Sequence, residues 1–245
     1  MYTPDISIPV GFEVVRKTIE FVDEDGKKKR CSEVTKNEIA RNLIKGAIQR
    51  QIPFTYVLMD SWFSSKENFE FITKHNKHFI AAIKNNRLFA RSLEDKLNGR
   101  FERVDALGLR DKEFVRGYLR GYDKEVILTY RLFTNKDGST GRLYLVCSDV
   151  SLSGDYIATL YQKRWKVEEY HKSLKSNAAV TKSPTKRVTT QISHLVMFNY
   201  LAQGFLKTSP ILVASYSKQA GFPYILLLII YENFALAYFC FRVRF

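Results

Sequence analysis

The sequence predicts a mixed α/β protein, because three of its segments differ in the spacing of their apolar residues. Residues 54–83 predict a buried strand, a helix and a second strand, and residues 86–149 alternate short strands with turns. Residues 156–176 have the spacing of a long helix. With 245 residues, 45% of them hydrophobic, the chain can bury a substantial core, which excludes a generally disordered protein.

The amino-terminal part of the chain predicts strands followed by a helix. A β-branched run at 6–15 predicts the first strand, in which Pro9 marks an edge or a bulge. Residues 18–22 are expected to pair with that strand. Residues 33–49 predict a helix, whose buried side is expected to hold Ile39, Leu43 and Ile48.

The segment 54–83 has the composition of a β-α-β unit. Its first strand ends at Asp60, Ser64 and Glu67 predict a capping box at the start of the helix, and the second strand begins at His78. Asp60 therefore comes just past the carboxyl end of a strand, where open α/β sheets place their active sites.

Residues 86–149 predict a mostly β segment. Strands are expected at 126–133 and 143–146, and residues 135–139 give a hairpin signal. Asp149 follows the last of these strands. Its expected role is in a turn or at a helix start, although it could also approach an active site.

The chain is strongly basic, with 39 Lys and Arg residues against 25 Asp and Glu and a formal net charge of +14. This charge favours a polyanionic partner such as a nucleic acid, although basic proteins without such a partner also exist. The odd number of cysteines has no paired spacing and favours a reducing cytosol over a disulfide framework. These cysteines are Cys31, Cys147 and Cys240.

Four residues at fixed spacing are the most informative feature of the chain. They are Tyr161, Arg164, Glu168 and Lys175. At about 100° per residue, steps of three, four and seven keep their side chains within one narrow stripe of a helix. A carboxylate between two cations and a phenol suits a metal ion beside a phosphodiester better than it suits a core. The alternative is a surface helix with ion pairs four residues apart, such as Arg164 with Glu168.

This spacing, Y-x2-R-x3-E-x6-K, and the segment Asp60-Ser61-Trp62-Phe63 together resemble the motifs of DDE transposases of the bacterial insertion-sequence-4 family. The resemblance covers about residues 6–199. It implies a ribonuclease H-like catalytic core with a β-rich insertion between the second catalytic Asp and the Glu. It also implies catalytic residues that hold Mg²⁺, for which Mn²⁺ can substitute, namely Asp60 and Glu168. The DNA-contacting residues would be Tyr161, Arg164, Lys175 and Trp62.

The same resemblance implies an activity and its partners. The activity is cut-and-paste DNA transposition, in which phosphodiester cleavage and strand transfer depend on metal ions bound by carboxylates. The partner is double-stranded DNA, both the transposon ends and the target, with no small-molecule substrate. A homodimer on DNA is expected, in the bacterial cytoplasm with the nucleoid.

The sequence departs from the family pattern at both ends. The family places a first catalytic Asp on a strand before the segment that 6–15 resembles, and the early aspartates Asp5, Asp23 and Asp25 follow no such strand. We therefore expect an amino-terminally truncated fragment that performs no strand transfer by itself. Residues 224–241 are nearly all apolar and approach the ~20 residues that span a bilayer. A frameshift or a fusion would explain both ends.

The expected organisation has four parts. Residues 1–85 are the first part of the core, 86–149 the insertion, 150–206 the motif helix with a following helix, and 207–245 an atypical apolar tail. Three alternatives remain: a metal-dependent DNA nuclease of the same fold, a non-catalytic DNA-binding remnant, and a small membrane protein suggested by the tail alone.

Overall fold

The computed structural model describes residues 5–15, 17–134, 137–165, 225–230 and 234–242. The chain forms two compact units, one of residues Thr55–Arg164 and the other of Met1–Phe54 with Trp165–Phe245. Both contain helices and strands, so the predicted mixed α/β class is confirmed. The described elements are β1 (Asp5–Val14), β2 (Ile19–Val22), β3 (Lys28–Cys31), α1 (Lys36–Gln49), β4 (Tyr56–Met59), α2 (Lys66–Lys74), β5 (His78–Ile83), β6 (Leu88–Ala90), α3 (Leu93–Leu97), β7 (Glu102–Arg103), β8 (Phe114–Leu119), β9 (Val126–Thr134), β10 (Thr140–Cys147), α4 (Gly154–Gln162), β11 (Ile225–Ile230) and β12 (Phe234–Arg242).

The first and last parts of the chain form one antiparallel arrangement. Strand β1 pairs with β12, which in turn pairs with β11. The register of β1 shifts between Pro9 and Gly11, in agreement with the bulge that was one of the two alternatives predicted from the proline. The apolar tail thus forms two strands. Among the described residues, no helix is long and apolar enough to cross a membrane.

The second strand does not pair with the first, so that prediction was wrong. Strand β2 pairs antiparallel with β3, from Ile19 opposite Cys31 to Val22 opposite Lys28. The intervening turn is closed by Asp23, whose carboxylate accepts hydrogen bonds from the backbone amides of Asp25 and Lys27. A turn whose own side chain binds its backbone amides is stable locally, and it favours pairing between the two strands that it connects.

Helix α1 begins three residues later than predicted, because Thr35 caps it. The Thr35 side chain accepts a hydrogen bond from the backbone amide of Glu38 at 3.2 Å. The buried face of α1 includes the predicted Ile39 and Leu43, whereas Ile48 is only half-buried.

The unit of residues 55–164 is built on one sheet with the strand order β4-β5-β10-β9-β8-β6-β7. Strands β4 and β5 are parallel, and α2 connects them as the predicted β-α-β unit. The rings of Phe69 on α2 and Phe79 on β5 are fully buried and stack with their centroids 4.1 Å apart. Strands β6 to β10 extend the sheet of β4 and β5, because β10 pairs antiparallel with β5.

Candidate active site

Asp60 lies at the carboxyl end of β4, as the sequence predicts. Its backbone is extended, and its side chain caps a 3₁₀ turn of residues Ser61–Phe63 by accepting a hydrogen bond from the backbone amide of Trp62 at 2.9 Å. This bond uses Oδ1. None of the described residues donates a hydrogen bond to Oδ2 of the half-buried carboxylate. The side chain is therefore held in place at one oxygen and is able to coordinate a cation through the other.

The two aromatic residues after Asp60 lie in opposite environments. Phe63 is buried at 2% exposure and belongs to the core. Trp62 is 74% exposed, and the ammonium nitrogen of Lys84 lies 5.6 Å from the centroid of its ring. An indole ring and a cation thus lie together in the segments that follow β4 and β5, and the indole belongs to the turn that the candidate catalytic carboxylate caps.

The helix that follows is capped by Ser65, and the predicted capping box at Ser64 and Glu67 was wrong. Ser65 accepts from the backbone amide of Asn68 at 3.3 Å, because the 3₁₀ turn shifts the helix start by one residue. The hydroxyl of Ser64 instead donates to the backbone carbonyl of Ala82 on β5. This bond fixes the Asp60 loop to the neighbouring strand.

Asp149 lies at the opposite edge of the sheet from Asp60. Strand β10 runs antiparallel to β5, with Cys147 opposite Ile80, so its end lies near the start of β4. There the Tyr56 hydroxyl donates to the Asp149 carboxylate. Four residues of strand, about 13 Å at ~3.3 Å each, separate Tyr56 from Asp60.

The environment of Asp149 is that of a turn residue. Its other oxygen accepts from the amide and the hydroxyl of Ser151, at 3.0 and 2.6 Å. Burial would raise the pKa of Asp149, but the hydrogen bonds from Ser151 and Tyr56 outweigh it and lower the pKa. The predicted turn role is confirmed, and Asp149 is too far from Asp60 to share a metal ion.

The described part of the motif helix contains a turn that the sequence did not predict. Helix α4 ends at Gln162, and the next two backbone amides, of Lys163 and Arg164, bond three residues back at 3.1 and 2.9 Å. Such tightened bonds are typical of a helix end. The continuous helix predicted for 156–176 is therefore interrupted by a turn at Lys163 and Arg164, and its part from 166 to 176 lies outside the described residues.

Two of the four motif residues are described, and they are in contact. Tyr161 is buried at 5% exposure, and the guanidinium carbon of Arg164 lies 5.6 Å from the centroid of its ring. Glu168 and Lys175 lie outside the described residues, as does the helix predicted to follow the motif helix before residue 206.

Asp23 and Asp25, the aspartates near the amino terminus whose side chains are described, both lie in the β2–β3 hairpin. Asp23 accepts two turn amides and pairs with the ammonium of Lys29 at 2.6 Å, and the bond from Lys29 is the largest of the causes that lower its pKa. Asp25 lies 3.8 Å from the ammonium of Lys27. Nowhere in the described part of the chain do three metal-binding side chains gather into a cluster.

Lys84 is the residue near Asp60 that sequence reasoning missed. It directly follows β5, and the parallel pairing of β4 with β5 brings the carboxyl ends of both strands to the same edge. The signal was present in the sequence, because a β-α-β unit brings the residues that follow its two parallel strands to the same end of the sheet.

Comparison with known proteins shows the family to which the chain belongs. A family model described as the transposase DDE domain matches residues 29–198, more than half of the chain, and the match includes Asp60 and the whole 161–175 segment. No curated protein matches the chain. The chain belongs to the transposase DDE-domain family.

Proposed function

We propose that this chain holds the catalytic domain of a cut-and-paste transposase of the insertion-sequence-4 type. Its reaction would be metal-dependent phosphodiester cleavage and strand transfer at the ends of an insertion sequence. The observation that carries the proposal is the position of Asp60 at the carboxyl end of β4, within the matched family segment.

In this proposal Asp60 and Glu168 hold Mg²⁺, with Mn²⁺ as a substitute. The carboxylate of Asp60 fits a hard cation, because its Oδ1 is fixed by the Trp62 amide while Oδ2 receives no bond from the described residues. A bound cation would activate a water or 3′-hydroxyl nucleophile and stabilise the leaving oxygen. The protein side chains position the phosphodiester for that attack.

The remaining motif residues are proposed to contact DNA. Arg164 would hold a phosphate through its planar guanidinium, and the ring of Tyr161 beneath it would fix the direction of that fork. Lys175 would act as a point charge. Trp62 would contact a base, because its ring is exposed beside Asp60.

The fold proposed for the catalytic core is ribonuclease H-like, with strands β6 to β10 as the β-rich insertion. We expect no strand transfer by this chain alone, because the described aspartates do not complete a three-carboxylate site with Asp60. Asp23 closes a hairpin turn, and Asp149 lies at the other edge of the sheet. We further propose that two copies of the chain pair on DNA in the bacterial cytoplasm.

The first test is binding of the full chain to labelled duplexes made from the DNA that flanks its gene, with shuffled duplexes as the comparison. We expect tighter binding to the flanking sequences, and affinity that falls steeply with salt as phosphate contacts are lost. Equal and salt-independent binding to both sets would contradict the proposal.

The second test separates catalysis from binding. Mn²⁺ binding, followed by electron paramagnetic resonance, should weaken in Asp60→Asn and Glu168→Gln and remain unchanged in Glu70→Gln, an exposed carboxylate on α2. DNA binding should survive both substitutions. Cleavage of flanking DNA that disappears in Glu168→Gln would show an active enzyme and refute the expected inactivity. Metal binding that is identical in all variants would refute the ligand assignment.

A further inference from the structure

Asn68, in the first turn of α2, is a polar side chain that lies completely inside the protein. It is one of three buried polar residues in the described part of the chain, together with Ser64 and Thr129. A side-chain amide is unfavourable to bury unless it is hydrogen-bonded there. The contacts of Asn68 therefore indicate what its amide does at this position.

The Asn68 side chain binds the turn that carries Asp60. Its amide nitrogen Nδ2 donates a buried hydrogen bond to the backbone carbonyl of Phe63 at 2.9 Å. Because a carbonyl only accepts, this contact fixes which end of the side-chain amide faces the turn. The bond joins the body of α2 to the last residue of the 3₁₀ turn that Asp60 caps.

The Phe63 carbonyl lies where the 3₁₀ turn passes into α2. One residue, Ser64, makes this passage, and its φ of −79° and ψ of 57° are those of an inverse γ-turn. The backbone amide of Ser65 closes the γ-turn on the Phe63 carbonyl at 2.9 Å. Such a tight turn bends its hydrogen bond, and bent bonds are weak. Asn68 therefore adds a second donor at a carbonyl that the backbone alone holds weakly.

A short series of bonds links Asn68 with the Asp60 carboxylate. Asn68 holds Phe63 by its carbonyl, and the amide of Phe63 donates to the Asp60 carbonyl at 3.2 Å. The amide of Trp62, in the same turn, donates to Oδ1 of Asp60 at 2.9 Å. A displacement of the Phe63 carbonyl would thus alter the turn that fixes the direction of the carboxylate.

We propose that Asn68 is a positioning residue for the metal site, which acts by holding the turn from which Asp60 presents Oδ2. The hydroxyl of Ser64 ties this turn to β5, and the amide of Asn68 ties it to α2. Hydrogen-bond partners that orient a metal ligand strengthen metal binding by about 10–100-fold. This inference rests on the proposed function, and it goes beyond it by giving a role to a buried residue that contacts neither the metal ion nor DNA.

The test compares Asn68→Leu with two other variants of α2. Leucine keeps the branched shape of the side chain and removes the donor. The controls are Ser65→Ala, which removes the helix cap, and Phe69→Leu, which removes buried volume at the next position; both leave the bonds of the Asp60 turn in place. We expect Mn²⁺ affinity, followed by electron paramagnetic resonance, to fall about tenfold in Asn68→Leu and to stay unchanged in both controls. Asn68→Ala is the second variant and should show the same loss, and circular dichroism checks that each variant is folded.

Hydrogen exchange, followed by nuclear magnetic resonance, separates positioning from stability. The amides of Trp62 and Phe63 bond to Asp60, so their exchange rates report on the turn itself. In Asn68→Leu we expect these two amides to exchange faster by a larger factor than the amides of β5. In Ser65→Ala and Phe69→Leu they should exchange as they do in the wild type.

The outcomes distinguish this inference from the proposed function. If Asp60→Asn weakens Mn²⁺ binding while the Asn68 variants bind Mn²⁺ like the controls, the positioning role is refuted and the proposed function stands. If Asp60→Asn binds Mn²⁺ like the wild type, the ligand assignment of the proposed function fails, and the inference fails with it. Weaker metal binding in Asn68→Leu without faster exchange of the Trp62 and Phe63 amides would also overturn the inference, because the effect would then not pass through the turn.

Discussion

Replacing Tyr56 with Phe tests how the amino end of β4 is held to the end of β10. The substitution keeps the buried ring and removes the hydroxyl that donates to the Asp149 carboxylate. A hydrogen bond to a charged group contributes about 1.5–3 kcal/mol. Because Asp149 retains its bonds from Ser151 and is partly exposed, we expect a loss of about 1.5–2 kcal/mol in the free energy of unfolding at pH 7.

The pH dependence of this loss has a predictable sign. Asp149 has a lowered pKa in the folded protein, so its contribution is present above the unfolded value of about 3.9 and is lost as the pH falls through the folded pKa. Tyr56 has a raised pKa, because of burial and the bond to Asp149. The folded state therefore favours the neutral phenol, and wild-type stability declines once the pH rises above about 10. The difference in the free energy of unfolding between wild type and Tyr56→Phe should therefore become smaller both at low pH and at high pH.

Urea unfolding followed by circular dichroism at several pH values is the assay. We expect the urea concentration at the unfolding midpoint to fall. The slope of the free energy of unfolding against urea concentration should not change, since a single hydroxyl does not alter the surface exposed on unfolding. Tyr144→Phe is the control, because Tyr144 is another buried tyrosine of the same sheet and packs against Tyr130 instead. A loss below about 0.5 kcal/mol at neutral pH, the usual range for surface changes, would refute the role given to this bond. So would an equal loss in Tyr144→Phe.

Three further substitutions test the packing and the capping around the candidate site. Phe69→Ala should lower the free energy of unfolding by about 3–5 kcal/mol, because it leaves a cavity against the stacked ring of Phe79. Thermal or urea unfolding measures this loss. A loss near 1 kcal/mol would mean that the core is less tightly packed than described. Ser65→Ala should cost about 1 kcal/mol through loss of the α2 cap. Ser64→Ala keeps that cap and should loosen the loop of Asp60, seen as weaker Mn²⁺ binding in the Ser64 variant alone.

The elements that sequence reasoning predicted well are those whose partners are close in the chain. The apolar run before Asp60 and the helix after it gave the β-α-β unit, because burial on both faces leaves a nearly continuous hydrophobic strand. The β9–β10 hairpin followed from its turn residues, and its register places Thr134 opposite Thr140.

The apolar tail was harder to interpret, because composition does not decide between a membrane segment and strands. Its residues are apolar over almost the length of a bilayer span, and only Glu232 and Asn233 interrupt them. In the structure the two halves are β11 and β12, and the partner of β12 is β1 at the other end of the chain. A pairing between residues so distant in sequence cannot be inferred from local periodicity.

The candidate site shows why strand direction matters more than proximity in sequence. Asp60 and Asp149 each follow a buried strand, and by composition alone both are candidates for one metal site. The sequence cannot say that β10 runs antiparallel to β5, and this direction carries Asp149 to the edge where Tyr56 begins β4. Lys84 shows the opposite effect of strand direction. The parallel pairing of β4 with β5 brings Lys84 to the edge of the sheet that holds Asp60, although the two residues are more than twenty positions apart in the sequence. A site at a sheet edge is therefore defined by which strand ends share that edge, and here those ends hold Asp60, Trp62 and Lys84.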